Sequence, residues 1–286
     1  MAPRPARSRS GGGSVRPRPA VRRAPTHGTP PERVRLDGET FDRHEILKHD
    51  SWAATAIYRS PSRKALCKFN REQPILRLPM RWLGRALAAR ERGFMDRLAG
   101  IDGIPPSMGG VEVGGRVLGN AVSRGFVEGH ALAEREWVDD DFFPRLAGLL
   151  AEVHRRGVAH VDLHKRENIL VDERGRPHLI DFQISFALPR GRIGAALGRG
   201  LLALLQRSDD YHLLKHRVKH RPDQTGLSPA DIERLRPWWI RAHRCVAIPF
   251  RACRRRLLAV LGIRTRGGHA HSEAFPEIAH RPAAAA

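Results

Sequence analysis

The sequence predicts an α+β fold in two unequal parts, a small strand-rich part followed by a larger helical one. Three observations predict it. Short β-patterned runs crowd the chain before about residue 128. One helix-period stripe interrupts them. From about Ile193 to Leu261 the apolar spacing is helical throughout, broken at Pro222, Pro237 and Pro249. We read residues 1–33 as a disordered basic leader and 34–128 as the strand-rich part. Residues 129–266 form the helical part with a basic extension, and 267–286 a tail.

In order, the leader is rich in Arg, Pro, Gly and Ser and has no apolar period. Pattern begins near Phe41. Two short strands, 56–59 and 64–69, flank the turn Ser60-Pro61-Ser62-Arg63. Residues 82–98 turn helical, with Leu83, Leu87, Phe94 and Leu98 on one stripe, and Gly100, Gly103, Pro105 and Pro106 end that helix. Val111-Glu112-Val113, Gly114-Gly115 and Arg116-Val117-Leu118 read as a hairpin. Asp139 to Asp141 offer caps for a helix burying Phe142, Phe143, Leu146, Leu149, Leu150 and Val153, which Gly157 stops.

Charge narrows the function classes. The formal net charge is +21, but residues 1–31 hold seven arginines and no acid, and residues 234–266 hold ten and no acid. Those ends account for 17 of the 21, so the middle is nearly balanced. Basic ends are an expected footprint of a nucleic-acid partner, yet no zinc-finger spacing or aromatic-rich binding strand supports one. No stretch approaches the roughly 20 apolar residues of a membrane span, and no apolar core follows the first arginines as in a secretory signal. Cys67, Cys245 and Cys253 give neither a disulfide framework nor metal-ligand spacing. A cytoplasmic location is expected.

The chemistry concentrates between residues 157 and 183. Gly157-Val158-Ala159-His160-Val161-Asp162-Leu163-His164-Lys165-Arg166-Glu167-Asn168 leads into a strand, a turn at 172–177, and His178-Leu179-Ile180-Asp181. With the turn centred near Arg174 and Gly175, Asn168 and Asp181 face each other at the open end of the hairpin. An amide oxygen and a carboxylate there, with Asp162 on the loop that feeds them, make a hard-oxygen site of the kind magnesium selects. Upstream, Glu91 interrupts the apolar stripe of its helix, and Lys68 lies in an apolar strand run. An inward carboxylate is costly unless paired, so the two are natural partners.

Here the chain resembles the protein-kinase-like superfamily. His160-Val161-Asp162-Leu163 with Asn168 is similar to its catalytic loop, Asp181-Phe182-Gln183 to its magnesium motif, and Lys68 with Glu91 to its phosphate-positioning pair. The resemblance covers about residues 42–215. It implies ATP and Mg2+ as cofactors, Asp162 orienting the acceptor hydroxyl, and Asn168 and Asp181 holding metal. It further implies Ser51 and Ala53 near the phosphates, in the stretch where a glycine-rich loop belongs, and Glu128 in a hinge, Phe126-Val127-Glu128-Gly129, that presents backbone groups to adenine.

The departures are specific. Asp162 to Asn168 spans six positions where the family loop has five, so one residue must bulge. No glycine-rich loop is present, Val161 stands where the family has arginine, and no Ala-Pro-Glu segment follows Asp181. The smaller relatives fit better: lipopolysaccharide sugar kinases, RIO-type kinases and aminoglycoside phosphotransferases, the last echoed by Asp162-Leu163-His164. Asp209 and Asp210 begin a helical run, either bracing the loop or capping the surface. The expected function is transfer of the ATP γ-phosphoryl group to a hydroxyl acceptor, either a protein serine or threonine or a glycolipid or small-molecule hydroxyl. A pseudokinase scaffold, and a basic membrane or nucleic-acid surface adaptor, are the rivals. Trp238, Trp239 and the arginines around them suit equally an anionic membrane or lipopolysaccharide surface, peripheral on the inner face of the cell membrane, and a helix packed on the larger part.

Overall fold

The computed structural model describes residues 29–49, 53–74, 79–188, 192–242 and 245. Ser51, most of the basic leader and most of the arginine- and tryptophan-bearing C-terminal segment lie outside them. Strands β1 (Arg33–Leu36), β2 (Glu39–His49), β3 (Ala53–Arg59) and β4 (Lys64–Asn70) precede helix α1 (Arg81–Arg97). Then come β5 (Glu112–Val113), β6 (Arg116–Val117), β7 (Ala121–Gly125) and β8 (Gly129–Ala131). Helix α2 (Phe142–Arg155) leads to β9 (Val158–Ala159), β10 (Ile169–Asp172), β11 (Pro177–Leu179) and β12 (Phe186–Ala187). Helices α3 (Arg192–His220) and α4 (Pro229–Leu235) complete the described chain.

The first seven strands form one antiparallel sheet in the order β6-β5-β1-β2-β3-β4-β7. Its edge hairpin turns on Gly114 and Gly115, both at positive φ (56° and 76°), as a two-residue turn requires. The sequence reading missed β1 and started β3 late. The signal was available: Asp37-Gly38 also sits at positive φ (47° and 82°) between Leu36 and Glu39. Strand β2 hid itself because register shifts between Arg43 and Glu45 and between Ile46 and Lys48 break its two-residue period. Just before β1, the Pro31 carbonyl accepts from the fully buried Tyr58 hydroxyl at 2.7 Å.

Alternation along β4 decides where Lys68 points. Ala65, Cys67 and Phe69 join Val34, Leu36, Phe41 and Tyr58 in the core of the sheet. Lys68 and Asn70 therefore lie on the opposite face, toward α1. That helix spans the residues its stripe predicted to within one, and Glu91, Phe94 and Leu98 are buried as read, but its first turns bury Gly84 and Ala88 and leave Leu83 and Leu87 half-buried. Close approach is the reason: a Cβ on Gly84 would stand 2.3 Å from the Arg71 carbonyl oxygen. Small residues let the helix press on the end of β4, and Glu91 comes inward with them. Gly84→Ala is accordingly expected to lower stability by about 1–3 kcal/mol, as overpacking does. An unchanged urea midpoint would show that the contact is soft.

The second core gathers α2 with its surroundings: Phe142, Phe143, Leu146, Leu149, Leu150 and Val153 are buried as predicted, beside Phe94 and Leu98 of α1 and Phe182. The predicted aspartate caps do not form. Asp141 makes no side-chain bond to the helix start, and Asp139 and Asp141 pair instead with Arg145 at 3.4 and 2.9 Å. A three-stranded sheet, β11-β10-β8, and the small pair β9–β12 lie beside this core in sequence and space. Helix α3 runs unbroken for 29 residues to His220. Among the described residues, no helix is long and apolar enough to cross a membrane.

Candidate active site

Helix α1 and the segment after β11 bring three polar groups to Lys68. Its Nζ is 3.1 Å from Glu91 Oε2 on α1, 3.2 Å from Asp181 Oδ1 after β11, and 3.3 Å from Gln183 Oε1. An ammonium has three protons, and all three have an acceptor. Burial opposes the charge on Lys68, but Asp181 and Glu91 together hold its pKa above the ordinary lysine value. Burial pushes Glu91 up, with Lys68 pulling against it. For Asp181 the balance runs the other way. Burial raises its pKa, yet the Lys68 charge and hydrogen bond, and then Lys165, outweigh that and lower it to about 2. Asp181 is thus an ionised carboxylate at neutral pH.

Gln183 was not foreseen. Its amide bridges Lys68 and Asn70, donating to Asn70 Oδ1 at 3.2 Å, while Arg90 of α1 donates to the Gln183 carbonyl at 3.1 Å. The sequence marks Gln183 only as the third residue of Asp181-Phe182-Gln183 and says nothing of this bridge. Only the two-residue spacing of Lys68 and Asn70 on one strand face hints that a single side chain could meet both.

The β10–β11 hairpin differs by one residue from the expected register. Ile169 pairs Leu179, and the Ile180 N–H donates to the Asn168 carbonyl at 3.1 Å, so Asn168 faces Ile180 rather than Asp181. Asp181 follows directly in a left-handed conformation (φ 64°, ψ 65°) that opens a 3-10 turn, Phe182–Ile184. Buried Phe182 anchors that turn against the His160 ring, 4.8 Å away, and His160 Nε2 donates to the Ile180 carbonyl at 3.0 Å.

The extra residue between Asp162 and Asn168 is taken up by consecutive turns. Lys165 N–H donates to the Asp162 carbonyl at 3.1 Å and Asn168 N–H to the Lys165 carbonyl at 3.2 Å, the second within the 3-10 turn Arg166–Asn168. Asn168 remains tied to the loop, for its Nδ2 donates to the Asp162 carbonyl at 3.1 Å. That bond commits the amide nitrogen and leaves Oδ1 as its open acceptor. The Asp162 carboxylate is buried, with Lys165 Nζ 2.6 Å from one oxygen and His164 Nδ1 3.3 Å from the other.

A strained backbone holds Asp162 in place. Val161 sits at φ 70°, a conformation that costs a β-branched residue about 1–2 kcal/mol. Asp209 of α3 offsets it, accepting from the His160 N–H at 2.7 Å and the Val161 N–H at 2.9 Å, with His154 Nε2 a further 3.3 Å from the first oxygen. Asp209 is wholly buried, so it braces the loop; its neighbour Asp210 lies 3.7 Å from His154 Nδ1 and is largely exposed. Asp209→Ala strands two backbone donors at about 1–3 kcal/mol each. We expect a loss of about 2–4 kcal/mol in urea unfolding, with Asp209→Asn intermediate because one oxygen survives. Equal stability of all three proteins would refute the brace.

The other predicted residues do not join this cluster. Ala53 opens β3 opposite Asn70. Glu128 turns to the outside: its carboxylate lies 2.7 Å from Lys64 Nζ, and its carbonyl accepts from the Glu173 N–H at 3.1 Å. It lines a cavity of about 560 Å³ with Lys64, Ile104, Pro106, Phe126 and His178, which Lys68, Asp162 and Asp181 do not border.

No known protein family and no curated protein matches the chain in sequence. Among solved structures it is similar to the Rio2 kinase from Chaetomium thermophilum, at 14% identity and a TM-score of 0.44, covering 62% of this chain and 58% of that one. The chain therefore spans less than two thirds of that structure. So distant a likeness supports no transfer of roles, and the functional reading rests on this chain's own residues.

Proposed function

We propose that this chain is an ATP- and magnesium-dependent phosphotransferase with a two-lobed protein-kinase-like architecture. It moves the γ-phosphoryl group to a hydroxyl acceptor. One observation carries the reading: a largely buried lysine on a strand, held by a helix glutamate, meets the aspartate that follows a hairpin whose opposite end is Asn168. A purely structural ion pair needs one carboxylate. Two on one ammonium, one of them strongly acidic, suit a site that binds cations and phosphates together.

The donor set fits magnesium. Asp181 and the Oδ1 of Asn168 are hard oxygens, and among the described residues no group of His, Cys, Asp and Glu forms an all-protein metal cage. Magnesium sites usually take one or two protein ligands and complete themselves with phosphates and water. When bound, the ion would neutralise charge on the phosphate oxygens. The chain's own residues do the rest. Lys68 reaches a phosphate only by giving up one of its three acceptors, and neutral Gln183 is the weakest of them. Glu91 keeps Lys68 in place during that exchange. Asp162, steadied by Lys165 and the Asp209 brace, orients the acceptor hydroxyl. Such catalysis is mainly positioning and charge stabilisation.

The acceptor is a protein serine or threonine, or a glycolipid or small-molecule hydroxyl, met in the cytoplasm or at the inner face of the membrane. Calorimetric titration of ATP with and without magnesium tests the core of the reading. Binding should be tight only with the metal, and Asp181→Ala should abolish the metal-dependent part. Metal-independent binding that this substitution leaves unchanged would sink the assignment.

A further inference from the structure

Asn70 shares a face of β4 with Lys68 and is buried. Its donors are both committed to one neighbour. The Asn70 N–H and Nδ2 donate to the Asn120 carbonyl at 2.9 and 3.2 Å, and Asn120 Nδ2 donates back to the Asn70 carbonyl at 2.7 Å. With Nδ2 engaged there, the group that Asn70 turns toward Gln183 is Oδ1, an acceptor. Gln183 must meet it with Nε2, at 3.2 Å, which leaves Gln183 Oε1 facing Lys68 at 3.3 Å. Asn120 thus fixes, through Asn70, which end of the Gln183 amide reaches the ammonium.

The backbone beneath that amide is held as well. Arg90 of α1 donates to the carbonyls of both Gln183 and Ser185, and the Ser185 hydroxyl donates to the His160 carbonyl at 3.1 Å. A neutral acceptor is therefore fixed beside an ammonium whose other two partners, Glu91 and Asp181, are carboxylates. A lysine that served only the fold would not need it. Its charge is already matched, and with 17% of the side chain exposed its third proton could go to water. An acceptor built into that position, weaker than a charged oxygen, suits a place that an anionic ligand takes over.

We propose that Gln183 is a positioning residue of the nucleotide site, a neutral stand-in for a phosphate oxygen. This rests on the phosphotransferase reading above. In the empty site Gln183 Oε1 takes the third proton of Lys68 and keeps the ammonium from turning away. A phosphate oxygen carries charge and displaces the amide from that proton. Lys68 does the turning, while Gln183 stays on Asn70, since leaving would strand a buried Oδ1 without its donor. When the nucleoside diphosphate departs, the amide takes the proton back. Gln183 therefore competes with every phosphate that reaches Lys68, lowering nucleotide affinity and hastening product release.

Gln183→Met in the full chain tests this, because the thioether keeps the length of the side chain and removes the acceptor. Any cost at Asn70 Oδ1 falls on the free and bound chains alike and cancels in the dissociation constant. Calorimetry should find MgADP bound about fivefold more tightly by the variant than by wild type, as loss of a competing bond to an ammonium gives once water takes part of its place. Adenosine has no phosphate, so its affinity should be the same in both proteins. In 15N-lysine NMR spectra, the Lys68 ammonium of the empty chain should exchange its protons faster in the variant, a difference that vanishes with MgADP bound. Gln183→Glu keeps an acceptor there but charges it, and should weaken MgADP at least fivefold; it decides the matter if the methionine variant does not fold. A side chain that merely supports the fold would not tighten binding when replaced. Equal or weaker MgADP binding by Gln183→Met, an equal gain for adenosine, or undiminished binding by Gln183→Glu would overturn the role. Wild type that binds MgADP and MgATP while Gln183→Met binds them no better removes the role alone. Wild type that binds neither overturns the phosphotransferase reading and the role with it.

Discussion

Replacing Lys68 with methionine is expected to abolish turnover and to lower stability by about 3–5 kcal/mol, the cost of stripping a buried carboxylate of its partner. Glu91 is only 6% exposed, and burial already raises its pKa. Without the ammonium it must protonate or draw in water, with the charge of Arg124 giving partial compensation. Asp181 loses a partner too, but it is a third exposed and can hydrate. The double variant Lys68→Met/Glu91→Leu separates folding from function. Removing both ends of a buried pair is often nearly neutral, so the urea midpoint should recover much of its wild-type value. Phosphate transfer should not recover. If turnover returns with stability, Lys68 is a structural cation and the nucleotide assignment falls.

How far the sequence could be read depends on where its signals are local. Helix α2 was legible residue by residue because its six apolar positions fall on one face and all are buried. Lys68 and Glu91 were legible for a different reason: each put a charge into an apolar pattern, and such a charge needs a partner. Their separation of 3.1 Å meets that expectation. The hairpin register slipped by one because a turn centre inferred from composition leaves one residue of freedom, and the pairing of Ile169 with Leu179 settles it. The face of α1 was read correctly at Glu91, Phe94 and Leu98 and misjudged only in its first turns, where large apolar residues attract attention while Gly84 makes the close approach and Ala88 is buried beside it. The bridge made by Gln183 and the positive φ of Val161 carry no local signature. Each depends on a partner far along the chain, Lys68 and Asp209 respectively. Asp209 was one of two candidates, and its burial and its bonds from the His160 and Val161 N–H groups separate it from Asp210.

Asp162→Asn is expected to leave ATP affinity within a few-fold of wild type while turnover, including any slow ATP hydrolysis, falls by about 10²-fold or more. Affinity should hold because Lys68 bonds to Glu91, Asp181 and Gln183, and Asp162 is not among its partners. The fold should hold as well. The bonds that shape the loop are the Asp162 carbonyl to Asn168 and Lys165, and the Asp209 brace, none of which uses the Asp162 carboxylate. What the substitution removes is the negative charge shared by Lys165 and His164 and one of the two oxygens that can orient a hydroxyl. An amide accepts far more weakly from a developing oxonium and leaves the Lys165 ammonium unneutralised beside the incoming oxygen. A loss confined to turnover, with nucleotide binding and urea midpoint near wild type, is the signature of a residue that touches the reacting group. Equal trace turnover in wild type and variant, both folded and both binding MgATP, would favour a nucleotide-binding scaffold that performs no transfer.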